Sequence, residues 1–181
     1  EMGIRDGVAI GGAVAAMQRA VVPVGTQADD TEAINQYQVA YNLSADSWCG
    51  FFGQNNNWYS GSNNTTYYLQ DAWVAATYKN SYTELLSSWK EIRQESEKTG
   101  SMEVFALAQI LKISAWHKTL ETFGPIPYTH AGEPALVIPF DSEKDAFNAM
   151  FADLTAAIEI LTARVEQGAT IVADYDAVYG G

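Results

Sequence analysis

Cysteine occurs once, as Cys49, so neither an internal disulfide nor a zinc site built on several thiolates can form. Histidine occurs twice, as His117 and His130. Basic residues are scarce: ten Lys and Arg stand against 22 Asp and Glu, a net charge of −12. Affinity for a phosphate backbone comes mainly from Lys and Arg, so this balance argues against nucleic acid as a partner. It argues against an anionic bilayer surface for the same reason. Neutral and cationic ligands remain compatible with it. No run of about 20 apolar residues is present, so no membrane-spanning helix is expected. The stretch GVAIGGAVAAM at 7–17 has the texture of an export-signal core, but Glu1 and Asp6 precede it and no clear basic region does. It reads as a helix of small residues; an export signal would lie upstream of Glu1.

Apolar and aromatic residues are plentiful. Hydrophobic residues make up 48% of the 181, enough for one domain with a sizeable core. Aromatics include five Trp and ten Tyr. Proline and glycine punctuate the chain into five helical segments, with weak β signals. The first is expected from Ile4 to Val22, stopped by Pro23. The second follows a cap at Asp30 or Thr31, places Ile34, Tyr37 and Tyr41 on one face, and fades near Ser47. The third runs from Ala75 to Lys98, with Tyr78, Tyr82, Leu85, Trp89 and Ile92 stepping three or four residues apart. Gly100 can take the left-handed conformation that closes a helix, which makes the third and the fourth, Met102 to Phe123, an antiparallel hairpin. The fourth is apolar around most of its circumference and therefore buried on most sides. The fifth, Ser142 to Glu166, opens on a Ser142–Asp145 capping pair. Phe147, Met150, Leu154, Ala157 and Leu161 form its stripe, supported by Phe151 and Ile158, and Gly168 ends it. Residues 169–181 read as an irregular tail. The order of elements predicts an all-α architecture of tetratricopeptide-like helix pairs (an α-α superhelix) with long irregular loops, although no strict repeat is visible.

Three groups of residues invite a chemical reading. His117 and Glu121 form H-x-x-x-E on one helical face, and a turn of the chain can bring His130 toward them. This is not the H-E-x-x-H of zinc proteases, and a hydrogen-bonded boundary histidine explains His117 equally. The loop carboxylates Asp29-Asp30 and Asp174-x-Asp176 follow no calcium-loop pattern. No metal or cofactor site is therefore assigned. The third group is the stretch FFGQNNNWYSGSNNTTYY at 51–68, in which Asn, Gly and Ser alternate with aromatics. Loops of this length are commonly functional or disordered. Sugar rings offer apolar C–H faces to aromatic rings, and amides hydrogen-bond sugar hydroxyls, as in any aromatic-lined pocket with a few polar groups. Asn56, Asn57, Trp58, Tyr59 and Tyr68 are accordingly the candidate ligand residues. The alternative is that these aromatics fold inward and anchor the loop.

The run ALAQILKISAWHKTLETFGPIPYTHA resembles the signature of SusD/RagB-like outer-membrane lipoproteins, in which a buried helix ends in a Phe-Gly-x-x-Pro-Tyr turn, here Phe123, Gly124, Pro127 and Tyr128. AWVAATYKNSYTELLSSWKEI resembles the helix before that signature, PFDSEKDAFNAMFADLTAAIEIL the helix after it, and ADYDAVYGG a later segment of the family. The resemblance extends over about residues 30–181. It implies that 1–181 is the N-terminal helical portion of a longer SusD-like domain. It implies a non-enzymatic, surface glycan- or oligomer-binding lipoprotein of the outer membrane. An oligosaccharide or peptide would be its ligand, and a TonB-dependent, SusC-like transporter barrel its partner. It also implies a lipid anchor on the parent protein, which nothing in this chain matches. Ligand sites in the family draw partly on the region corresponding to 51–73. Two other readings stay open: a helical protein–protein scaffold, and a metal-dependent hydrolase using His117, His130 and Glu121.

Overall fold

The computed structural model describes residues 4–22 and 36–178. Among them there is no strand, only one isolated antiparallel bridge between Ile126 and Asp141. The architecture is all-α, in tetratricopeptide-like helix pairs. Six helical elements carry it: α1 (Ile4–Val21), α2 (Gln38–Asp46), α3 (Asp71–Lys79), α4 (Leu86–Thr99), α5 (Met102–Phe123) and α6 (Glu143–Glu166). α2 is a π-helix, and a second π-helical stretch, Asn80–Leu85, joins α3 to α4 without a break. The expected cap of the second helix and Ile34 lie outside the described residues, as do Asp29 and Asp30.

The hairpin of α4 and α5 forms as the sequence predicts. Gly100 takes a φ of 78° and returns its N–H to the Ser96 carbonyl, turning the chain within two residues. α5 packs against α1, α4 and α6. Its Val104, Ala108, Leu111, Ala115, Trp116 and Leu120 are all buried, as a helix apolar on most sides requires. The π-stretch carries two polar residues, Asn80 and Ser81, into the core. Asn80 donates to the Ala20 carbonyl and the Tyr41 hydroxyl, Ser81 pairs with Thr119 at 2.6 Å, and Trp116 Nε1–H reaches the Ser81 carbonyl. Each buried polar group is thereby satisfied, without which it would cost about 1–3 kcal/mol.

The signature turn is held on four sides. Gly124 (φ 74°, ψ −136°) ends α5 in a conformation that L side chains avoid. Tyr82 donates to the Pro127 carbonyl at 2.9 Å, and the Tyr128 hydroxyl to Asp153 of α6 at 2.8 Å. Asp141 receives the N–H groups of Tyr128 and Thr129 and the Thr129 hydroxyl, closing the long 126–141 connection at its base. Burial pushes the Asp141 carboxyl up, but these hydrogen bonds outweigh it and hold the group below the usual carboxylate range.

Three expectations need correction. The third helix begins at Asp71 rather than Ala75, because Gln70 is extended and its carbonyl accepts from Trp73 and Val74. On α6, Ala146, Met150 and Ala157 are buried while the supporting Phe151 is 64% exposed. The expected stripe itself faces inward, with Met150 and Ala157 buried and Phe147 and Leu154 packed against the core; only the flanking Phe151 and Ile158 stay exposed. α6 is also long and apolar enough to cross a membrane, by length and composition alone. Yet it packs along α5 and carries Asp153 at its middle, bonded to Tyr128. The tail, finally, is docked. Gln18 of α1 donates to Asp176 and accepts from the N–H of Ala177, and the Tyr175 ring lies on Gly11, where a Cβ would come within 2.3 Å of it.

Candidate functional site

No charged residue occurs between Asp46 and Asp71, so the whole 47–70 segment is neutral. Its organiser is Asn63, which is fully buried. The Asn63 amide nitrogen donates to Gln54 Oε1 at 2.9 Å and to the Trp58 carbonyl at 2.8 Å. Its oxygen accepts from both the N–H and the hydroxyl of Thr65. Thr66 completes a reciprocal cap with Asn63 and also bonds the Gly61 carbonyl, and Gln70 holds the Ser62 carbonyl at 2.7 Å. One side chain thus ties residues 54, 58 and 65 together. Asn64 is buried beside it, with neither amide atom hydrogen-bonded among the described residues.

This frame positions a cluster of three rings. Trp58 lies flat on Trp73 of α3, with centroids 5.1 Å apart and planes 10° from parallel. Tyr59 meets both indoles edge-on, at 5.3 Å and 5.2 Å. Tyr59 and Ser60 adopt positive φ (51° and 52°), which swings the Tyr59 ring back over the pair. The aromatics therefore divide between inward and outward positions. Trp58 is half-buried and anchors the loop on α3, while Tyr59 (58%) and Tyr68 (52%) remain exposed. Tyr68 bonds the Asn63 carbonyl through its N–H, and its ring lies outside the three-ring cluster. Asn56 and Asn57 are exposed, and the Asn57 carbonyl accepts from Ser60. The expected third helix, from Ala75, leaves Trp73 outside both the helix and the candidate set. The neutrality of 47–70 was the available signal.

A groove of about 690 Å³ lies between α2, α3 and the end of α5. Its walls include Trp48, Leu69, Val74 and Phe123, with His117, Lys118 and Glu121 from α5. The Lys118 ammonium sits 4.3 Å from the centre of the Tyr41 ring. His117 Nδ1–H donates to the Ile113 carbonyl at 2.8 Å. His130 is exposed and bonded instead to Glu133 at 2.9 Å, which raises its pKa. Among the described residues, no group of three or more His, Cys, Asp or Glu side chains is placed to hold a metal ion.

The sequence matches the SusD-like family, described as Susd and RagB outer membrane lipoprotein, over residues 1–181. No curated protein sequence matches the chain. Among solved structures, it is similar to a chitin-binding SusD homolog from Flavobacterium johnsoniae, with a TM-score of 0.75 and 31% identity over 92% of this chain and 33% of that one. It also superposes on a SusD-like protein from Bacteroides thetaiotaomicron, with a TM-score of 0.74 and 23% identity over 95% of this chain and 34% of that one, a likeness of fold. This chain thus spans about a third of the length of these solved relatives. The helix pairs, the Phe123–Tyr128 turn and the match along the whole sequence agree: the chain belongs to the SusD/RagB family of outer membrane lipoproteins.

Proposed function

We propose that this chain supplies a glycan-binding surface of a nutrient-uptake lipoprotein at the outer membrane, with no catalytic role. The stacked Trp58–Trp73 pair carries this reading. Two indoles held parallel on a rigid frame give a preorganised apolar face in a segment free of charge, suited to the C–H face of a neutral sugar. Tyr59 extends that face, Tyr68 adds a separate exposed ring, and Asn56 and Asn57 supply exposed amides for sugar hydroxyls. The chitin-binding relative supports starting with N-acetylglucosamine oligomers. The partner in uptake is a TonB-dependent, SusC-like transporter barrel, a reading that rests on family membership alone.

Calorimetric titration of the purified protein with a panel of neutral oligosaccharides and peptides tests this. Saccharide binding that is lost in Trp58→Ala and Trp73→Ala is the expected result. Binding indifferent to both substitutions removes the platform from the site, and retention of a peptide alone makes the ligand a peptide. Co-purification from membranes tests the barrel separately.

A further inference from the structure

The outward side of α6 carries an apolar stripe of its own, apart from the one that packs on α5. Phe151, Ile158 and Val165 recur every seven residues and are 64%, 51% and 64% exposed. Thr155 and Thr162 fall between them, so the spacing runs 4-3-4-3, the a/d pattern of a helix–helix seam. The Thr155 hydroxyl already donates to the Phe151 carbonyl at 2.8 Å, which leaves its methyl to the seam. Leu154 and Leu161 each stand one residue before a threonine, are half-buried, and continue the apolar surface from the face on α5 out to the seam. Glu159 and Glu166 border its other side, each one residue after a seam residue. The whole strip runs roughly 21 Å along the helix.

This shape and its border identify what covers the strip. A helix that lies on a bilayer presents a broad apolar face edged by Lys and Arg. Here the face is narrow and edged by glutamates, in a chain of net charge −12. An a/d seam with acidic flanks fits one α-helix that brings its own a/d stripe and sets Lys or Arg against the glutamates. In stacked helix pairs each pair touches only its neighbours, and a terminal pair needs a polar outer face. α6 has no such face, and this chain spans about a third of the length of its solved relatives. We propose that the seam is an interface within one polypeptide: in the full-length protein, a helix from outside residues 1–181 lies along Phe151, Ile158 and Val165 and completes the core. This goes beyond the ring platform on α3, and neither requires the other.

Benzoylphenylalanine in place of Phe151, in the full-length protein irradiated in whole cells, captures whatever covers the seam. The expected product is an intramolecular cross-link, mapped by mass spectrometry to a segment of the same polypeptide outside residues 1–181. Thermal melts of the purified full-length protein give a second reading. Ile158→Asp should lower Tm by about 5 °C or more, since it puts a charge into an apolar interface. Ile160→Asp, two residues on and so turned away from the seam, should lower it less. Should Ile158→Asp fail to fold, Ile158→Ala is expected to give a smaller loss in the same direction. A cross-link to a second copy would make the seam a dimer interface, and one to lipid or to another protein would make it an external docking face. Either overturns the proposal, as does the absence of any cross-link, or a melt that substitution of Ile158 moves no more than substitution of Ile160.

Discussion

The Nζ of Lys112 lies 4.2 Å from the centre of the Tyr128 ring, so the signature turn is seated on a buried lysine of α5. Trp89 and Trp116 present their rings to the same ammonium at 4.1 Å and 4.7 Å. A cation held by three ring faces gains about 0.5–2 kcal/mol from each. Those gains work against a large desolvation cost. Burial lowers the Lys112 pKa to about 8, with Asp153 pulling it up and Arg93 pushing it further down.

That shift has a pH signature. Below about pH 8 the lysine is charged in the folded and unfolded chain alike, and the folded state carries the full burial cost. From there up to the ordinary lysine value of 10.5, the unfolded chain binds the extra proton, so stability rises with pH. The shift corresponds to roughly 3 kcal/mol. Above about pH 10 the phenols of Tyr82 and Tyr128, held up mainly by burial, bind protons more tightly in the folded state than in the unfolded one, so their contribution falls with pH and opposes the rise. The reading is therefore the difference between wild type and Lys112→Met in urea unfolding across about pH 8 to 10. Wild type should gain on the variant over that window; parallel curves would mean that Lys112 titrates normally.

The ring platform makes a prediction that separates touching a ligand from positioning one. Trp73→Ala should weaken saccharide binding about tenfold, or about 1.4 kcal/mol. Asn63→Ala should weaken it comparably although Asn63 is buried beneath the loop. The difference lies in stability and exchange. Asn63→Ala should cost about 1–3 kcal/mol and speed amide exchange across residues 54–66, because four hydrogen bonds are lost. Asn63→Asp, which keeps the acceptor for Thr65, should recover part of the affinity.

Gly124 sets the exit from α5. Its φ of 74° and ψ of −136° belong to glycine, and a Cβ there would stand 3.1 Å from Glu143 Oε1. Gly124→Ala should cost about 2 kcal/mol. In a chain of this size that lowers Tm by roughly 4–8 °C in a thermal melt. An unchanged Tm would show that the turn can relax.

Asp141 closes the connection that follows. Its carboxyl is held below the ordinary value of 3.8, so its stabilising contribution is present above that pH and lost as pH falls through the folded value. Asp141→Ala should cost about 2 kcal/mol at neutral pH, since two backbone N–H groups lose a charged partner. The gap between variant and wild type should narrow on acidification below about pH 4, measured by urea unfolding. A constant gap would locate its effect in packing rather than charge.

The α4–α5 hairpin, the Ser142 cap of α6, the stop at Gly124 and the family signature were all legible in the sequence. Each is a local matter: a glycine that can take positive φ, a hydroxyl three residues before the N–H it receives, a period of three or four apolar residues. Residues 51–68 were legible as a candidate surface for the same reason, through composition. Tertiary structure alone decided which of their aromatics face each other. Trp58 meets Trp73 only because Asn63 gathers the loop and α3 begins at Asp71. The same holds for Gln18 with Asp176, Lys112 with Tyr128, and the groove that gathers Trp48, His117 and Glu121. Hydrogen-bond capping and periodicity act within a few residues of the chain. A stacked ring or a desolvated ammonium depends on partners that folding brings from far along it, and those pairings set where a ligand can bind.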